Sequence, residues 1–153
     1  MEDYRKYLPL AYRYLTIRNR SEKEVRDYFT KKDITSEIVD KIIVSLYAQK
    51  FLNDELFARS WIRSRARSKP KGRYALEMEL KQKGISAEII EKIFAENQED
   101  LPDELTQAKQ LIQRKMEKLK ESSKQEIYQK VGSFLSRRGF SWEITKKAID
   151  SYL

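Results

Sequence analysis

A 12-residue pattern occurs three times along the chain, and it constrains the fold more than any other feature of the sequence. Each copy has a basic residue, a turn-forming residue, an apolar residue and a hydroxyl residue, with Glu-Ile two positions later. The copies are KDITSEIVDKII at residues 32–43, KGISAEIIEKIF at 83–94 and RGFSWEITKKAI at 138–149. Glycine tolerates the positive φ angle that often ends a helix, and a Ser or Thr side chain caps the helix that follows. Each copy therefore predicts a helix end, a tight turn and a new helix.

The residues before each copy predict two further helices per repeat. Pairs of apolar residues four positions apart, the spacing of one helix face, precede the three turns. They are Val25 and Phe29, Leu76 and Leu80, and Val131 and Leu135. An earlier helix carries the matching sets Ala11, Tyr14 and Leu15, then Ala58, Trp61 and Ile62, then Ala108, Leu111 and Ile112. Ser21 and Glu24 have the spacing of a capping box, and Pro9 either opens the first helix or kinks a longer one.

These patterns predict an all-α protein, a single elongated domain in which three three-helix repeats form a curved, right-handed solenoid. The repeats lie near residues 8–52, 53–98 and 101–153. Four glycines and three prolines are too few for the many tight turns of a β-sandwich or barrel, and no segment shows sustained strand alternation. Stacked repeats bury their apolar faces against their neighbours. A single all-helical globule with weak internal similarity is the alternative.

The absence of two residue types excludes several classes of chemistry. Without cysteine there is no disulfide, thiolate metal site or thiol nucleophile, and without histidine there is no imidazole base or ligand. We therefore expect no catalytic residue, no metal site and no cofactor. No apolar run approaches the roughly 18 residues that a membrane helix needs, and the first residues, MEDYRKYLPL, are unlike a signal peptide. We expect a cytoplasmic monomer that binds no membrane.

The positive charge is concentrated in one segment. The chain has a net charge of +8, and residues 59–83 contain nine basic and two acidic residues. A block with so few acidic residues favours a surface that binds phosphates or an acidic protein. A helix face that is merely solvated is the less favoured interpretation. We predict that the contact residues are the helical stripe Arg59, Arg63 and Arg67, the loop residues Lys69, Lys71 and Arg73, and the helix-end residues Lys81 and Lys83. Backbone N–H groups near Gly72 are further candidates for binding an anion.

The opposite bias occurs once, around Pro102. The acidic residues are Glu96, Glu99, Asp100, Asp103 and Glu104, with no basic residue among them. Carboxylates favour the positive end of a helix dipole, so this segment predicts a linker followed by a helix start. A metal-dependent nuclease is the enzymatic alternative, but nothing else in the chain completes an acidic active site.

Two adjacent segments of the middle repeat resemble the RecX regulatory proteins of bacteria. They are NDELFARSWIRSR at residues 53–65 and KPKGRYALEMELKQKGIS at 69–86. The residues Ser21 to Arg26 are similar to the first-unit motif of that family, and Arg138 to Ser141 to its third. The resemblance extends from about residue 11 to the end of the chain. Asp33 departs from the glycine found at the equivalent turns of the other two repeats.

The resemblance implies a negative regulator of the RecA recombinase and not an enzyme. Such proteins bind RecA filaments on single-stranded DNA, lie in the filament groove and block filament extension. They inhibit ATP hydrolysis, strand exchange and coprotease activity, and so modulate recombination, DNA repair and the SOS response. The implied partners are therefore the RecA filament and single-stranded DNA, with double-stranded DNA as a further candidate.

A stand-alone nucleic-acid-binding module is the second hypothesis. Small three-helix units resemble helix-turn-helix domains, and the basic block would then contact phosphates directly. Binding of that kind weakens steeply as the salt concentration rises. The two hypotheses overlap, because a modulator in the filament groove can also touch DNA.

Overall fold

The computed structural model describes residues 3–96 and 103–153, and regular secondary structure in this part of the chain is entirely helical. A short 3-10 helix, Tyr4–Tyr7, precedes the first α-helix. The helices are α1 Leu8–Ile17, α2 Glu22–Thr30, α3 Ser36–Ala48, α4 Asp54–Ser68, α5 Arg73–Gln82, α6 Ala87–Ala95, α7 Glu104–Lys118, α8 Lys124–Arg137 and α9 Trp142–Asp150. The prediction of an all-α fold of three-helix repeats is confirmed, and the curved right-handed solenoid stays a prediction. None of the described helices is long and apolar enough to cross a membrane.

The helix starts follow the sequence signals with one exception. The hydroxyl of Ser21 accepts from the backbone of Glu24 while the Glu24 carboxylate accepts from the backbone of Ser21, which confirms the capping box. The hydroxyls of Ser86 and Ser141 cap α6 and α9 by accepting from the backbone of Ile89 and Ile144, without the reciprocal bond of a capping box. Thr35 stands at the start of α3, but its hydroxyl makes no capping hydrogen bond, so that prediction is wrong. Pro9 lies in the first turn of α1 and therefore opens that helix.

The three predicted turns all contain a residue in the left-handed region. The φ angles are 61° at Asp33, 81° at Gly84 and 90° at Gly139. Aspartate is one of the few residues other than glycine that adopt this conformation at moderate cost. This explains how the first repeat keeps the turn without the glycine found in the other two.

The described residues pack into two compact units. The first contains residues 3–60 and 80–96, and the second contains residues 61–79 and 103–153. Each unit thus holds one end repeat and part of the middle repeat. The apolar pairs predicted before the three turns are all buried: Val25, Phe29, Leu76, Leu80, Val131 and Leu135. The repeat boundaries near residues 8–52, 53–98 and 101–153 stay a prediction.

Within the first unit, the start of α2 packs against the turn between α5 and α6. The hydroxyl of fully buried Ser21 donates to the carbonyl of Lys83 over 2.7 Å. A Cβ atom on Gly84 would collide with the side chain of Lys23. We call the packing of Ser21 and Lys23 on Lys83 and Gly84 the first inter-repeat contact.

Within the second unit, the start of α5 packs against the turn between α8 and α9 in the equivalent way. The N–H of Gly72 donates to the carbonyl of Arg138 over 2.7 Å, and the N–H of Tyr74 donates to that of Gly139 over 3.2 Å. A Cβ atom on Gly72 would collide with the backbone of Gly139 and Phe140. This second inter-repeat contact uses the positions that correspond to the first, since Gly72 follows Ser21 by 51 residues and Arg138 follows Lys83 by 55.

Candidate functional site

The basic block lies on α4, α5 and the loop between them, and its predicted contact residues divide between the two units. Arg59, Lys81 and Lys83 belong to the first unit. Arg63, Arg67, Lys69, Lys71 and Arg73 belong to the second. The two groups are therefore described in turn.

Arg59 is held by carboxylates inside the first unit. Its side chain is only 12% exposed, and Nη2 lies 2.9 Å from Glu55 Oε1 and 2.6 Å from Glu96 Oε2. Hydrogen bonds to Glu55 and then Glu96 raise the pKa of Arg59 above its ordinary value. The pKa of the Glu55 carboxyl is lowered mainly by the hydrogen bond from Arg59. A hydrogen bond from Lys92, at 3.3 Å, is the next largest contribution. This arginine therefore forms part of an internal ion-pair network and has little surface to offer a phosphate.

Lys83 is partly neutralised and Lys81 is not. Lys83 Nζ lies 3.6 Å from Glu24 Oε2, and Arg18 also pairs with Glu24. Partial burial of Glu24 opposes its ionisation, but hydrogen bonds from Arg18 and the Ser21 backbone, with Lys83 nearby, hold the pKa of this carboxyl below its ordinary value. Lys81 is exposed in the last turn of α5, where a cation is favoured by the helix dipole without any ligand.

A single carboxylate organises much of the basic block in the second unit. Glu79 of α5 accepts from Arg65 Nη2 at 2.8 Å, from Lys71 Nζ at 3.1 Å and from Trp61 Nε1 at 3.3 Å. The Arg65 guanidinium also lies 4.7 Å from the centroid of the Trp61 ring, within the range of a cation–π contact. The group fastens α4 and the loop to α5, so Lys71 has a structural role before it meets any partner.

Two further predicted residues of this unit also have partners within the chain. Arg73 Nε lies 2.8 Å from Glu77 Oε1 in an i, i+4 pair. Exposed pairs of this kind contribute about 0.3–0.5 kcal/mol, so Arg73 can exchange its partner at small cost. Arg63 is half-buried on α4 and interacts with other residues of the chain.

The remaining cations of the block are free to bind. Arg67, Lys69 and Lys81 are exposed, and no carboxylate of the described residues lies within ion-pair distance of them. Arg67 lies in the last turn of α4 and Lys69 begins the following loop, so two cations stand close together in the chain where α4 ends. Tyr74, at the start of α5, is 69% exposed. Arginine and lysine presented in this way suit phosphate or carboxylate groups.

The backbone N–H groups near Gly72 all have partners within the chain, and one of these is an anion, since the N–H of Arg73 hydrogen-bonds to the Glu104 carboxylate. The N–H of Gly72 and that of Tyr74 already donate to the carbonyls of Arg138 and Gly139. These donors serve the second inter-repeat contact. The sequence could not reveal this use, because the two carbonyls lie more than 60 residues away along the chain.

Sequence reasoning missed the central place of Glu79 and of its partner Arg65. The only signal was compositional: Glu77 and Glu79 are the two acidic residues among the nine basic ones of residues 59–83. Both acids pair with cations of that same block, as Arg65, Lys71 and Arg73 show. The count of nine basic residues therefore overstates how many cations of the block are available to a partner.

The acidic segment gives the predicted helix start but no metal site in the part of the chain that is described. Asp103 accepts from the backbone of Thr106 over 3.1 Å and caps α7. Glu99, Asp100 and Pro102 lie outside the described residues. Among residues 3–96 and 103–153, no three carboxylates are grouped so as to hold a metal ion.

Three consecutive segments of the chain match models of one protein family. The first three-helix domain of RecX matches residues 10–46, the second matches residues 53–92 and the third matches residues 102–149. The matches follow the order of the repeats and cover most of the chain.

Individual relatives agree with this result. Regulatory protein RecX of Prosthecochloris aestuarii is 34% identical over 151 residues, which cover 99% of this chain and 96% of that protein. Regulatory protein RecX of Bacillus pumilus is 39% identical over 136 residues, or 89% of this chain and 51% of that protein. The chain thus spans about half the length of its Bacillus and Listeria relatives. The crystal structure of RecX from Lactobacillus salivarius superposes with a TM-score of 0.87 at 25% identity, covering 98% of this chain and 96% of that one.

Proposed function

Because the chain belongs to the RecX family of regulatory proteins, we propose that it modulates the RecA recombinase. The observation that carries the proposal is the match of all three RecX domains, in order, along one chain. The near-complete coverage of the Prosthecochloris relative supports it. The protein would act in the cytoplasm as a regulator rather than as an enzyme, and as a monomer.

The proposed mechanism is negative regulation of RecA filaments on single-stranded DNA. The protein would bind in the filament groove and block the addition of RecA subunits. ATP hydrolysis, strand exchange and coprotease activity would fall as a consequence. The exposed cations of the basic block suit acidic protein groups or DNA phosphates, which supports this mechanism.

The exposed cations are the strongest candidates within the predicted contact surface. Arg67, Lys69 and Lys81 pair with no carboxylate among the described residues, so they would not have to break an ion pair there before they bind. The other predicted residues, Arg63, Lys71, Arg73 and Lys83, would contribute after exchanging or sharing their present partners. Arg59 would act mainly by holding α4 in place through Glu55 and Glu96.

The first experiment measures the DNA-dependent ATPase of RecA on single-stranded DNA as the protein is added well below the RecA concentration. A blocked filament end stops many subunits from joining, so we expect inhibition at a small fraction of the RecA present. Unchanged ATPase together with intact DNA binding would replace the proposal with the stand-alone nucleic-acid module. Unchanged ATPase without DNA binding would refute both.

A charge-reversal pair tests the surface itself. The variant Arg67→Glu with Lys69→Glu reverses two exposed cations, and we expect it to raise the concentration needed for half-inhibition at least severalfold while the fold is kept. The matched control is Lys31→Glu with Lys41→Glu, which makes the same charge change at exposed positions outside the block. Equal inhibition by the two folded variants would show that the end of α4 is not part of the contact surface.

A further inference from the structure

A groove on the third repeat combines an exposed tryptophan and a partly buried tyrosine with lysines. Trp142, the first residue of α9, is 59% exposed. Its ring centroid lies 6.1 Å from that of Tyr128 on α8, with the ring planes inclined at 55°. Lys124, Lys146 and Asp150 line the same groove. We refer to these five residues as the aromatic groove, and all of them belong to the second unit.

The repeat itself does not require the tryptophan. The corresponding position after the helix cap is Ser36 in the first repeat and Ala87 in the second, both exposed. Helices α3 and α6 form at those positions with small side chains, so a large ring is not needed to start the helix or to close the core. An indole that the other two repeats replace with a small side chain, and that stays 59% exposed, points to a ligand.

One position on this face also changes the sign of its charge in the third repeat. The position of Lys146 is occupied by Asp40 in the first repeat and Glu91 in the second. In the first repeat, Asp40 accepts from Arg26 over 2.6 Å. The position of that arginine is Gly132 in the third repeat. At these two positions, an exposed ion pair of the first repeat is thus replaced by a glycine and a lysine in the third.

Gly132 provides the surface on which the indole lies. It is buried in the interior of α8, where glycine costs roughly 0.5–1 kcal/mol relative to alanine. A Cβ atom built there would stand 3.7 Å from Cζ3 of Trp142, so the ring lies over this position. The tryptophan therefore packs on α8 along part of its surface and leaves the rest to solvent.

We propose that the aromatic groove is a stacking site for a base of single-stranded nucleic acid. Indole rings stack on any unpaired base, and nearby cations follow the backbone phosphates. The Asp150 carboxylate accepts from the Tyr128 hydroxyl and lies 3.5 Å from Lys146 Nζ. With two lysines and one aspartate, the groove has a net charge of about +1 at neutral pH. A duplex hides its base faces, which makes a single strand the matching form.

This inference deepens the proposed function, on which it rests for the presence of nucleic acid in the target. The binding experiment omits RecA, so that the two proposals can fail separately. A labelled oligodeoxythymidylate is titrated with the protein and followed by anisotropy. In a Trp61→Phe background, Trp142 is the one remaining tryptophan and its fluorescence reports stacking directly.

We expect the oligonucleotide to quench the fluorescence of Trp142. The Trp142→Ala variant should bind the oligonucleotide roughly 5- to 150-fold more weakly, which is the range for one stacked base. Alanine is the residue at this position in the second repeat, so the variant should fold, which circular dichroism checks. The matched control is Phe51→Ala, which removes an aromatic ring of similar exposure, 56%, from the first repeat. We expect that control to leave the affinity unchanged.

The salt dependence separates stacking from general charge attraction. Replacing both Lys124 and Lys146 by Gln should reduce the slope of log affinity against log salt by about 1.4, or about 0.7 per phosphate contact on a single strand. Absence of oligonucleotide binding by the unmodified chain, or equal affinity of the Trp142→Ala variant and the unmodified chain, would overturn the proposal. Loss of RecA inhibition by Trp142→Ala with unchanged oligonucleotide affinity would also overturn it and assign the groove to the protein partner.

Discussion

The two inter-repeat contacts occupy equivalent positions, yet they are built from different atoms. In the first, the side chain of Ser21 bridges to the carbonyl of Lys83, and the Lys23 side chain covers Gly84. In the second, Gly72 has no side chain and its own N–H reaches the carbonyl of Arg138. The serine side chain stands between the backbone of the helix start and the backbone of the next repeat. The glycine has no side chain, so there the two backbones are in direct contact.

This difference predicts how each contact fails. Side chains can rotate away from an added atom, whereas a backbone in the middle of a turn cannot move without its neighbours. The second contact should therefore be the more sensitive to small additions. The first should be the more sensitive to loss of polar groups and to pH, because it depends on side chains that hydrogen-bond and ionise.

The largest effect is expected for Gly72→Ala. The added methyl group would collide with the backbone of Gly139 and Phe140 and push Gly72 away from its carbonyl partner on Arg138. We expect a loss of roughly 2–4 kcal/mol in the free energy of unfolding, measured by urea denaturation.

A glycine of the same unit provides the control for that substitution. A Cβ atom on Gly132 would make only ordinary contact with Trp142, and alanine is the better helix former. Gly132→Ala should therefore leave stability unchanged or raise it by up to about 1 kcal/mol. Equal denaturation midpoints for Gly72→Ala and the unmodified chain would show that the close backbone packing is not needed.

Gly84→Ala should have the second largest effect. We expect it to lower the free energy of unfolding by roughly 2–3 kcal/mol in the same urea denaturation. The substitution places a Cβ at a φ of 81° and against the Lys23 side chain. Asparagine tolerates a positive φ better than alanine, so Gly84→Asn separates backbone strain from the collision. If Gly84→Asn is as destabilising as Gly84→Ala, the collision dominates; if both exceed Gly72→Ala, the proposed ranking of the two contacts is wrong.

The sequence predicted the elements of these contacts but not their pairing. Local signals located the turns at Gly84 and Gly139 and the capping box at Ser21, because each depends on residues a few positions apart. The carbonyl that each helix start meets lies about 60 residues further on, and no local rule identifies it. The same limit explains why the sequence predicts a bound anion near Gly72 and does not predict the ion pairs of Glu79.

Ser21→Ala tests the polar part of the first contact. It removes the helix cap and the hydrogen bond to Lys83, and we expect a loss of about 1–2 kcal/mol in unfolding free energy. Ser86→Ala is the control, because Ser86 caps α6 and makes no bond to another repeat in the described structure. The excess cost of Ser21→Ala over Ser86→Ala measures the bond to Lys83, and no excess would mean that this bond does not stabilise the contact.

The smallest effect concerns pH. Hydrogen bonds from Arg18 and Ser21 keep the pKa of Glu24 below its ordinary value of 4.5 despite partial burial. A carboxyl with a lowered folded pKa contributes stability above its unfolded pKa, and this is lost as the pH falls through the folded value. Asp54 opposes the trend, because burial raises its pKa while it accepts from the Glu22 backbone. Acid should therefore weaken the first contact only modestly.

The second contact supplies the internal reference for this measurement. Its hydrogen bonds join the backbone N–H groups of Gly72 and Tyr74 to backbone carbonyls, so no side chain in these bonds titrates. Amide exchange corrected for intrinsic rates should show the protection of Ser21 falling as the pH drops below about 4.5, the ordinary pKa of a glutamate, while that of Gly72 holds. In Glu24→Gln the fall at Ser21 should disappear, since the glutamine keeps the capping geometry without a titrating group. A parallel loss at both amides would mean that acid loosens the helices generally, and the two contacts would then differ in packing alone.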